Sequence, residues 1–159
     1  MKPEFKETQR FTQWWLQILL SAIGIIPIVG LYKQLILNEP FGNNPMSDTG
    51  LILFSIAVFG FLAFFKLVHL KTEINRKEIT INFYPMVKKR IYWTDIKNAK
   101  IVKYGFVGYG IRIGSKHGTI YNIKGNKGIA IELKNGKKFL IGTQKQSELQ
   151  KIIDKYTSN

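Results

Sequence analysis

The chain contains no cysteine and only two histidines among its 159 residues. The lack of cysteine excludes disulfides, thiolate metal sites and cysteine nucleophiles. The histidines, His69 and His117, are far apart in sequence, and neither belongs to a spacing typical of metal ligands. We therefore predict no catalytic residue, no metal site and no cofactor, and we expect the protein not to be an enzyme.

Acidic residues are also scarce, with 10 Asp and Glu against 24 Lys and Arg, which gives a net charge of +14. The excess lies in the second half, because residues 70–159 contain 19 basic and 6 acidic residues, whereas residues 1–69 contain five and four. The two halves are therefore expected to form structurally different parts of the protein. A strongly cationic segment is suited to anionic partners such as lipid headgroups or nucleic acid.

Two stretches of the first half lack charge. The first covers residues 11–32, and as a helix its 22 residues would extend about 33 Å, enough to cross a hydrocarbon core of about 30 Å. The second covers residues 49–65, and its apolar character continues, past Lys66 and His69, to residue 70. Neither stretch has a polar face, and so short a chain cannot bury both in a protein core. We predict transmembrane helices at about 11–32 and 49–70, with residues 1–70 forming one hairpin.

The ends of both spans contain residues that favour the membrane–water interface. Trp14 and Trp15 begin the first span and Tyr32 ends it, as in the aromatic belts of membrane proteins. Lys66 can extend its alkyl stem along lipid and reach the headgroups with its ammonium. Pro27 is expected to kink the first span.

A secretory signal peptide is the alternative interpretation of the first span. The basic start fits, but the apolar run exceeds the usual length of about 7–15 residues, and no A-x-A-like cleavage site follows it. The turn-rich connector 33–48 contains one lysine, whereas Lys and Arg are concentrated beyond the outer ends of both spans. Because positive charge stays on the cytoplasmic side, we expect a multi-pass protein of the inner (plasma) membrane with both termini cytoplasmic.

From residue 71 the pattern changes to apolar–polar alternation. About seven short strands are predicted, at a spacing typical of a small sandwich or barrel. Asn135-Gly136 between two alternating runs predicts a hairpin. A helix is predicted at about 144–156, where Thr143 and Gln146 match a capping box and apolar residues recur at helical spacing. These apolar residues are Leu149, Ile152, Ile153 and Tyr156.

Residues 70–156 resemble the bacterial pleckstrin-homology (PH)-like family, which is found beside membrane spans in small bacterial proteins. Three segments carry the resemblance: WTDI at 93–96, GYGIR at 108–112, and GNKG at 125–128 before IAIELKNGKKFLIGTQ. The matching residues are Trp93, Asp95, Ile96, Gly108, Tyr109, Gly110, Arg112, Gly125, Gly128 and Gly136. The resemblance implies two transmembrane α-helices followed by a PH-like β-sandwich or barrel of about seven strands, closed by a C-terminal α-helix.

PH folds bind lipids, peptides or proteins, so the fold does not settle the function. Lipid-binding members have clustered Lys and Arg around their first hairpin loop, where this sequence has only Arg76 and Lys77, next to Glu78. The densest basic run is Lys88-Lys89-Arg90. It is either a contact for anionic headgroups, at about 1 kcal/mol per residue, or a solvated strand end.

Two further patterns have structural interpretations. The GNKG segment matches the clamp of nucleic-acid-binding KH domains, but it lies between predicted strands rather than helices, so a turn is expected and nucleic acid is not an expected partner. Asp95 and Arg112 are candidates for a structural ion pair across the sheet. Trp93 is expected to pack in the sheet or core.

These features predict a non-enzymatic membrane protein that presents a basic cytoplasmic PH-like domain. The domain is expected to bind anionic lipid headgroups or a protein partner, as a scaffold at the inner leaflet. A peptide strand could add to an exposed sheet edge. The alternative is an accessory subunit of a membrane transport or secretion complex that acts through its transmembrane helices, packed through glycines and Ser21 or Ser55.

Overall fold

The computed structural model describes residues 2–105 and 108–157. The chain forms two compact units. A helical unit covers Thr12–Leu67, and a β unit combines the segment that ends at Phe11 with the chain from Val68 onward. Residues 2–11 thus belong to the β unit, whereas the sequence analysis placed them with the membrane hairpin.

The helical unit contains two long apolar helices. Helix α1 covers Trp14–Leu31 and continues as a π-helical turn over Tyr32–Ile36, and α2 covers Asp48–Leu67. Both are long and apolar enough to cross a membrane. Large apolar side chains project from them, and Ile18, for example, is 62% exposed.

The observed helices differ from the predicted spans at their ends. The first begins at Trp14 and continues to Ile36, and the second ends at Leu67 instead of residue 70. His69 and Leu70 belong instead to a strand, and Leu70 is fully buried in the core of the β unit. An apolar residue has the same hydropathy whether lipid or a protein core surrounds it, so hydropathy alone misplaces this boundary.

Glycines lie where the helical unit packs most closely. A Cβ atom added at Gly24 would lie 3.1 Å from Cδ1 of Leu62, and one at Gly30 would lie 3.0 Å from the Phe41 ring. The hydroxyl of Ser55 donates to the carbonyl of Leu51, one turn earlier in α2, at 2.7 Å. Pro27 lies inside α1, which continues past it.

The first sheet of the β unit has four antiparallel strands in the order β1-β2-β3-β4. They cover Phe5–Arg10, His69–Ile74, Glu78–Tyr84 and Val87–Tyr92. Strand β1 was not predicted from the sequence. Its buried positions alternate regularly, but two of them are Glu7 and Gln9, so the strand has no apolar alternation that could indicate it.

The second sheet has five strands in the order β5-β8-β9-β7-β6. They cover Ile96–Lys103 (β5), Gly110–Ser115 (β6), Gly118–Asn122 (β7), Lys127–Leu133 (β8) and Lys138–Gly142 (β9). Strands β7 and β9 pair in parallel, and the other pairs are antiparallel. The described chain thus has nine strands rather than about seven, in two sheets that form no clear closed barrel.

The predicted hairpin at Asn135-Gly136 is confirmed. Strands β8 and β9 pair on either side of it, and the amide of Leu133 donates to the carbonyl of Lys137 at 2.8 Å. Gly136 has a φ of +81°, which a residue with a side chain rarely adopts.

Strand β9 crosses the strands of the first sheet instead of running along one of them. A row of residues in register crosses that sheet from Glu7 on β1 to Lys89 on β4. The ammonium of Lys89 lies 3.9 Å from the ring centroid of Phe139, near the start of β9. At the other end of the row, Glu7 accepts a hydrogen bond from Thr143, directly after β9. The two sheets therefore pack face to face with crossed strands.

Helix α3, Gln146–Thr157, packs against β5 and β1 and buries Leu149 and Ile153. The ring of Tyr156 stacks on that of Trp93, with centroids 4.8 Å apart. The predicted capping box does not form, because the amide of Thr143 donates to the carbonyl of Lys127 instead of to Gln146. The hydroxyl of Thr143 does accept a hydrogen bond from the amide of Lys145 at 3.0 Å.

Candidate functional site

One end of the first sheet is where the chain passes into and out of the helical unit. Arg10 at the end of β1 pairs in register with His69 at the start of β2, and His69 pairs with Tyr84 on β3. The rings of His69 and Tyr84 stack with centroids 5.3 Å apart. We call this row the junction end. Tyr84 and Met86, next to it in the β3–β4 turn, are 44% and 50% exposed.

The outward side of the first sheet carries most of its cations, and we call it the cationic face. Strand alternation turns even-numbered residues of β1 and β4 and odd-numbered residues of β2 toward solvent. The face contains five basic side chains: Lys6, Arg10, Lys71, Lys88 and Arg90.

Carboxylates neutralise only part of the cationic face. Lys71 pairs with Glu73 at 2.9 Å, and Arg90 lies 3.8 Å from Glu78. Within the described ranges, Lys6, Arg10 and Lys88 form no ion pair with a carboxylate. Arg10 lies in the row of the junction end, and Lys88 lies two rows from it, because Lys88 is in register with Asn82 and Lys71. Two of these three cations thus lie on the half of the cationic face nearer to the point where the chain joins its apolar helices.

The structure divides the basic run at 88–90 between two environments. Lys88 and Arg90 are exposed on the cationic face, whereas Lys89 turns toward the second sheet and lies over Phe139. Burial lowers the pKa of Lys89, and the charge of Lys137 lowers it further. The three residues therefore do not form one lipid contact.

Arg76 and Lys77 lie in the β2–β3 turn, at the end of the first sheet opposite the junction end. The Nε of Arg76 donates to Glu4 at 3.3 Å, and the Nζ of Lys155 lies 2.8 Å from the same carboxylate. The hydrogen bond from Lys155 lowers the pKa of Glu4, with Tyr156 and Arg76 adding to it. This cluster joins β1 to α3 and is not close in register to Lys88.

Strand β1 attaches to the second sheet through buried polar side chains. The carboxylate of Glu7, 5% exposed, accepts hydrogen bonds from the hydroxyl of Thr143 at 2.6 Å and the amide of Gln144 at 2.7 Å. Gln9 donates through Nε2 to the carbonyl of Gly142 at 2.7 Å. Nothing in the sequence around β1 indicated these contacts, because their partners lie more than 130 residues away.

A buried amide and phenol lie beside Gly142. The side-chain amide of Asn122 donates to the carbonyl of Gly108 at 3.2 Å. Among the residues that the structure describes, neither Oδ1 of Asn122 nor the hydroxyl of Tyr104 has a hydrogen-bond partner. Burial raises the pKa of Tyr104 to about 12. A Cβ at Gly142 would approach both Asn122 and Tyr104, so the glycine makes this packing possible.

The residues that carry the family resemblance lie at structural positions. Nε1 of Trp93 donates to the carbonyl of Asn75 at 2.9 Å, in agreement with a packing role. Asp95 precedes β5 and Arg112 lies on β6, at the two edges of the second sheet, so the expected ion pair between them does not form. The remaining members are distributed over strands and turns of the second sheet: Ile96, Gly108, Tyr109, Gly110, Gly125, Gly128 and Gly136.

The predicted interface anchors lie near the ends of the apolar helices. Trp14 and Trp15 begin α1 and are 75% and 44% exposed, and Tyr32, 53% exposed, begins the π-helical turn. Lys66 is exposed in the last turn of α2. Across residues 2–105 and 108–157, no group of three or more His, Cys, Asp or Glu side chains is placed to hold a metal ion.

Replacing Glu7 with alanine is expected to destabilise the β unit by about 3 kcal/mol, because two charge-assisted hydrogen bonds are lost and their buried donors are left unpaired. Chemical unfolding of the full chain in neutral detergent measures the change. Glu148→Ala removes an exposed carboxylate paired with Lys145 and should change the stability by less than about 1 kcal/mol. Equal losses in the two variants would contradict the structural role of Glu7.

Comparisons with known proteins give no relative from which a role can be transferred. No family model matches the chain, and no curated protein matches it. The main features of the structure are an apolar helical hairpin and a β unit whose cationic face extends to the connection with that hairpin.

Proposed function

We propose that this is a non-enzymatic integral protein of the bacterial plasma membrane, whose PH-like β domain binds anionic lipid headgroups through its cationic face. The division of charge is the observation that carries the proposal. The helical unit contains two basic and two acidic residues, whereas the rest of the chain contains 22 basic and 8 acidic residues. All of the net positive charge thus belongs to the β unit.

The chain connections support cytoplasmic placement of both termini. Three residues separate β1 from α1, and one residue separates α2 from β2. Because Arg10 and His69 are neighbours in the sheet, the chain leaves the β unit and returns to it at one place. Two membrane crossings bring the chain back to its starting side, and the positive-inside rule favours the cytoplasm as that side.

The crossed packing of the two sheets and the C-terminal helix support the PH-like assignment. A PH fold consists of two sheets packed at a large angle, closed by one helix. Here β9 crosses the four strands of the first sheet, and α3 covers core residues next to β5 and β1. The parallel pairing of β7 with β9 and the additional strand β1 extend the pattern expected from the sequence.

Electrostatics and tethering favour lipid as the ligand. A basic residue near an anionic leaflet contributes about 1 kcal/mol, so Arg10 and Lys88 together would contribute about 2 kcal/mol. The short connections to α1 and α2 make this contact intramolecular, so even a weak attraction is effective. Tyr84 and Met86 add exposed apolar surface at the same end of the sheet.

A protein partner is the second candidate ligand of the domain. Strand β4 is an edge of the first sheet, and an extended peptide could add to it through main-chain hydrogen bonds. Lys88 and Arg90 on β4 would favour an acidic peptide.

An accessory role for the helices in a transport or secretion complex finds less support. Gly24 and Gly30, the small residues suited to contacts with other helices, already pack within the hairpin, and Ser55 bonds to its own helix. Gly60 is the helical glycine with open space around its Cα. Any helix-mediated partner would therefore be expected at the surface around Gly60.

Single cysteines test the proposed topology cleanly, because the chain has none of its own. In spheroplasts, a membrane-impermeant maleimide should label Asn44→Cys in the connector but should reach Lys151→Cys on α3 only after lysis. The unchanged chain is the control for background labelling. Labelling of Lys151→Cys from outside would overturn the cytoplasmic placement.

A polarity-sensitive dye on Asn82→Cys tests the lipid contact, since Asn82 lies on the outward side of β3 between Lys71 and Lys88. In full-length protein reconstituted into nanodiscs, anionic lipid should shift the emission to the blue relative to zwitterionic lipid. High salt should reverse this shift.

Arg10→Ala with Lys88→Ala should weaken the lipid-bound state by about thirtyfold, the equivalent of about 2 kcal/mol. Lys77→Ala with Lys151→Ala removes the same charge away from the junction end and should leave the emission shift unchanged. An equal effect of both double variants would show that only net charge matters, and would contradict a defined cationic face.

A further inference from the structure

A second cationic site lies in the β unit, formed by different residues from the cationic face. An open pocket of about 230 Å³ is lined by strands β5 and β8, the start of β9 and the β6–β7 turn. Its lining combines basic side chains with Ala130, whereas the Phe139 ring is buried in the core between the two sheets. The charged lining residues are Lys100, Lys116, His117, Glu132 and Lys138.

The charges of the three lysines all affect the pKa of one side chain, the imidazole of His117. Partial burial lowers the pKa of His117, and the charges of Lys116, Lys100 and Lys138 each lower it further. These lysines come from the β6–β7 turn, β5 and β9, so distant parts of the chain bring like charges together. Such an arrangement creates a positive potential that attracts anions.

The only carboxylate that lines the described pocket is already paired. Glu132 accepts a hydrogen bond from Lys97 at 3.1 Å, and this bond lowers the pKa of Glu132. The charge of Lys138 lowers the pKa of Glu132 further. With one carboxylate for three lysines, the pocket has an excess of positive charge.

The β6–β7 turn is held in place against β9. The hydroxyl of Ser115 donates to the carbonyl of Gly118 at 2.9 Å and accepts from the amide of His117 at 3.0 Å. Gly118 has a φ of +73°, and a Cβ there would collide with the carbonyl of Lys138. Glycine thus allows the turn to press against β9, which positions Lys116 and His117 beside Lys138.

We propose that this pocket binds a phosphate group, either of a small phosphorylated molecule or of a lipid headgroup. Three ammonium groups and an imidazole supply several N–H donors around one space, as a tetrahedral anion with several charged oxygens requires. The site shares no side chain with the cationic face, so it does not depend on the lipid contact of that face.

Binding of glycerol phosphate to the full-length protein tests the pocket directly. In zwitterionic nanodiscs, the imidazole NMR signals of His117, identified by their loss in His117→Gln, should shift on titration with glycerol phosphate. The pKa of His117 should rise, because the anion offsets the lysine charges. Anionic nanodiscs without glycerol phosphate form the second arm, and a rise there alone identifies a lipid headgroup as the source.

Lys116→Ala with Lys138→Ala should weaken binding by at least tenfold, about 1.4 kcal/mol. Both side chains are exposed, so the unfolding midpoint should stay unchanged. Lys134→Ala with Lys151→Ala is matched in charge and should bind as the unchanged protein does. Absence of a His117 response in both arms would overturn the proposal, and so would equal weakening of binding by the two double variants. Neither result bears on the cationic face, which the dye on Asn82→Cys tests separately.

Discussion

The pairing of β1 with β2 is the interaction on which the rest of the structure depends. The two strands pair over six residues each, from Phe5 opposite Ile74 to Arg10 opposite His69. The whole helical unit is therefore an insertion between two neighbouring strands of one sheet. Both ends of the apolar hairpin are therefore joined to a single β domain by connections of three residues and one residue.

Strand β1 stabilises the domain mainly through polar contacts. Phe5 is its buried apolar residue, whereas Glu7 and Gln9 reach the second sheet and Glu4 reaches α3. Buried polar groups are unfavourable unless they are satisfied, so these bonds restrict β1 to one register. Packing in the second sheet concentrates like charges, as the lysines around His117 illustrate.

Local patterns in the sequence predicted most of the secondary structure. Uncharged runs predicted both apolar helices, and the alternation from residue 71 onward predicted a series of short strands. Asn135-Gly136 predicted a hairpin that the structure confirms. Strand β1 was missed because its buried side chains are polar, and the end of α2 was misplaced because Leu70 is as apolar as lipid-facing residues.

The sites were less predictable than the fold, because they depend on long-range register. Lys88, Lys89 and Arg90 form one run in sequence, but strand alternation sends Lys89 to the opposite side. Arg10 and Lys88 are distant in sequence and come to lie on one face of the sheet only through β2 and β3. The lysine pocket likewise requires the unusual strand order of the second sheet, which no local pattern contains.

Disulfide formation between strands tests the central pairing most directly. Thr8 and Lys71 are opposite each other in β1 and β2, where paired Cβ atoms lie about 5 Å apart, whereas Thr8 and Asn82 lie two strands apart, about 10 Å. After oxidation of the full chain and cleavage in the connector, Thr8→Cys with Lys71→Cys should keep the two fragments linked on a non-reducing gel. Thr8→Cys with Asn82→Cys should release them. Equal release from both double variants would show that β1 does not pair with β2, and would contradict the account.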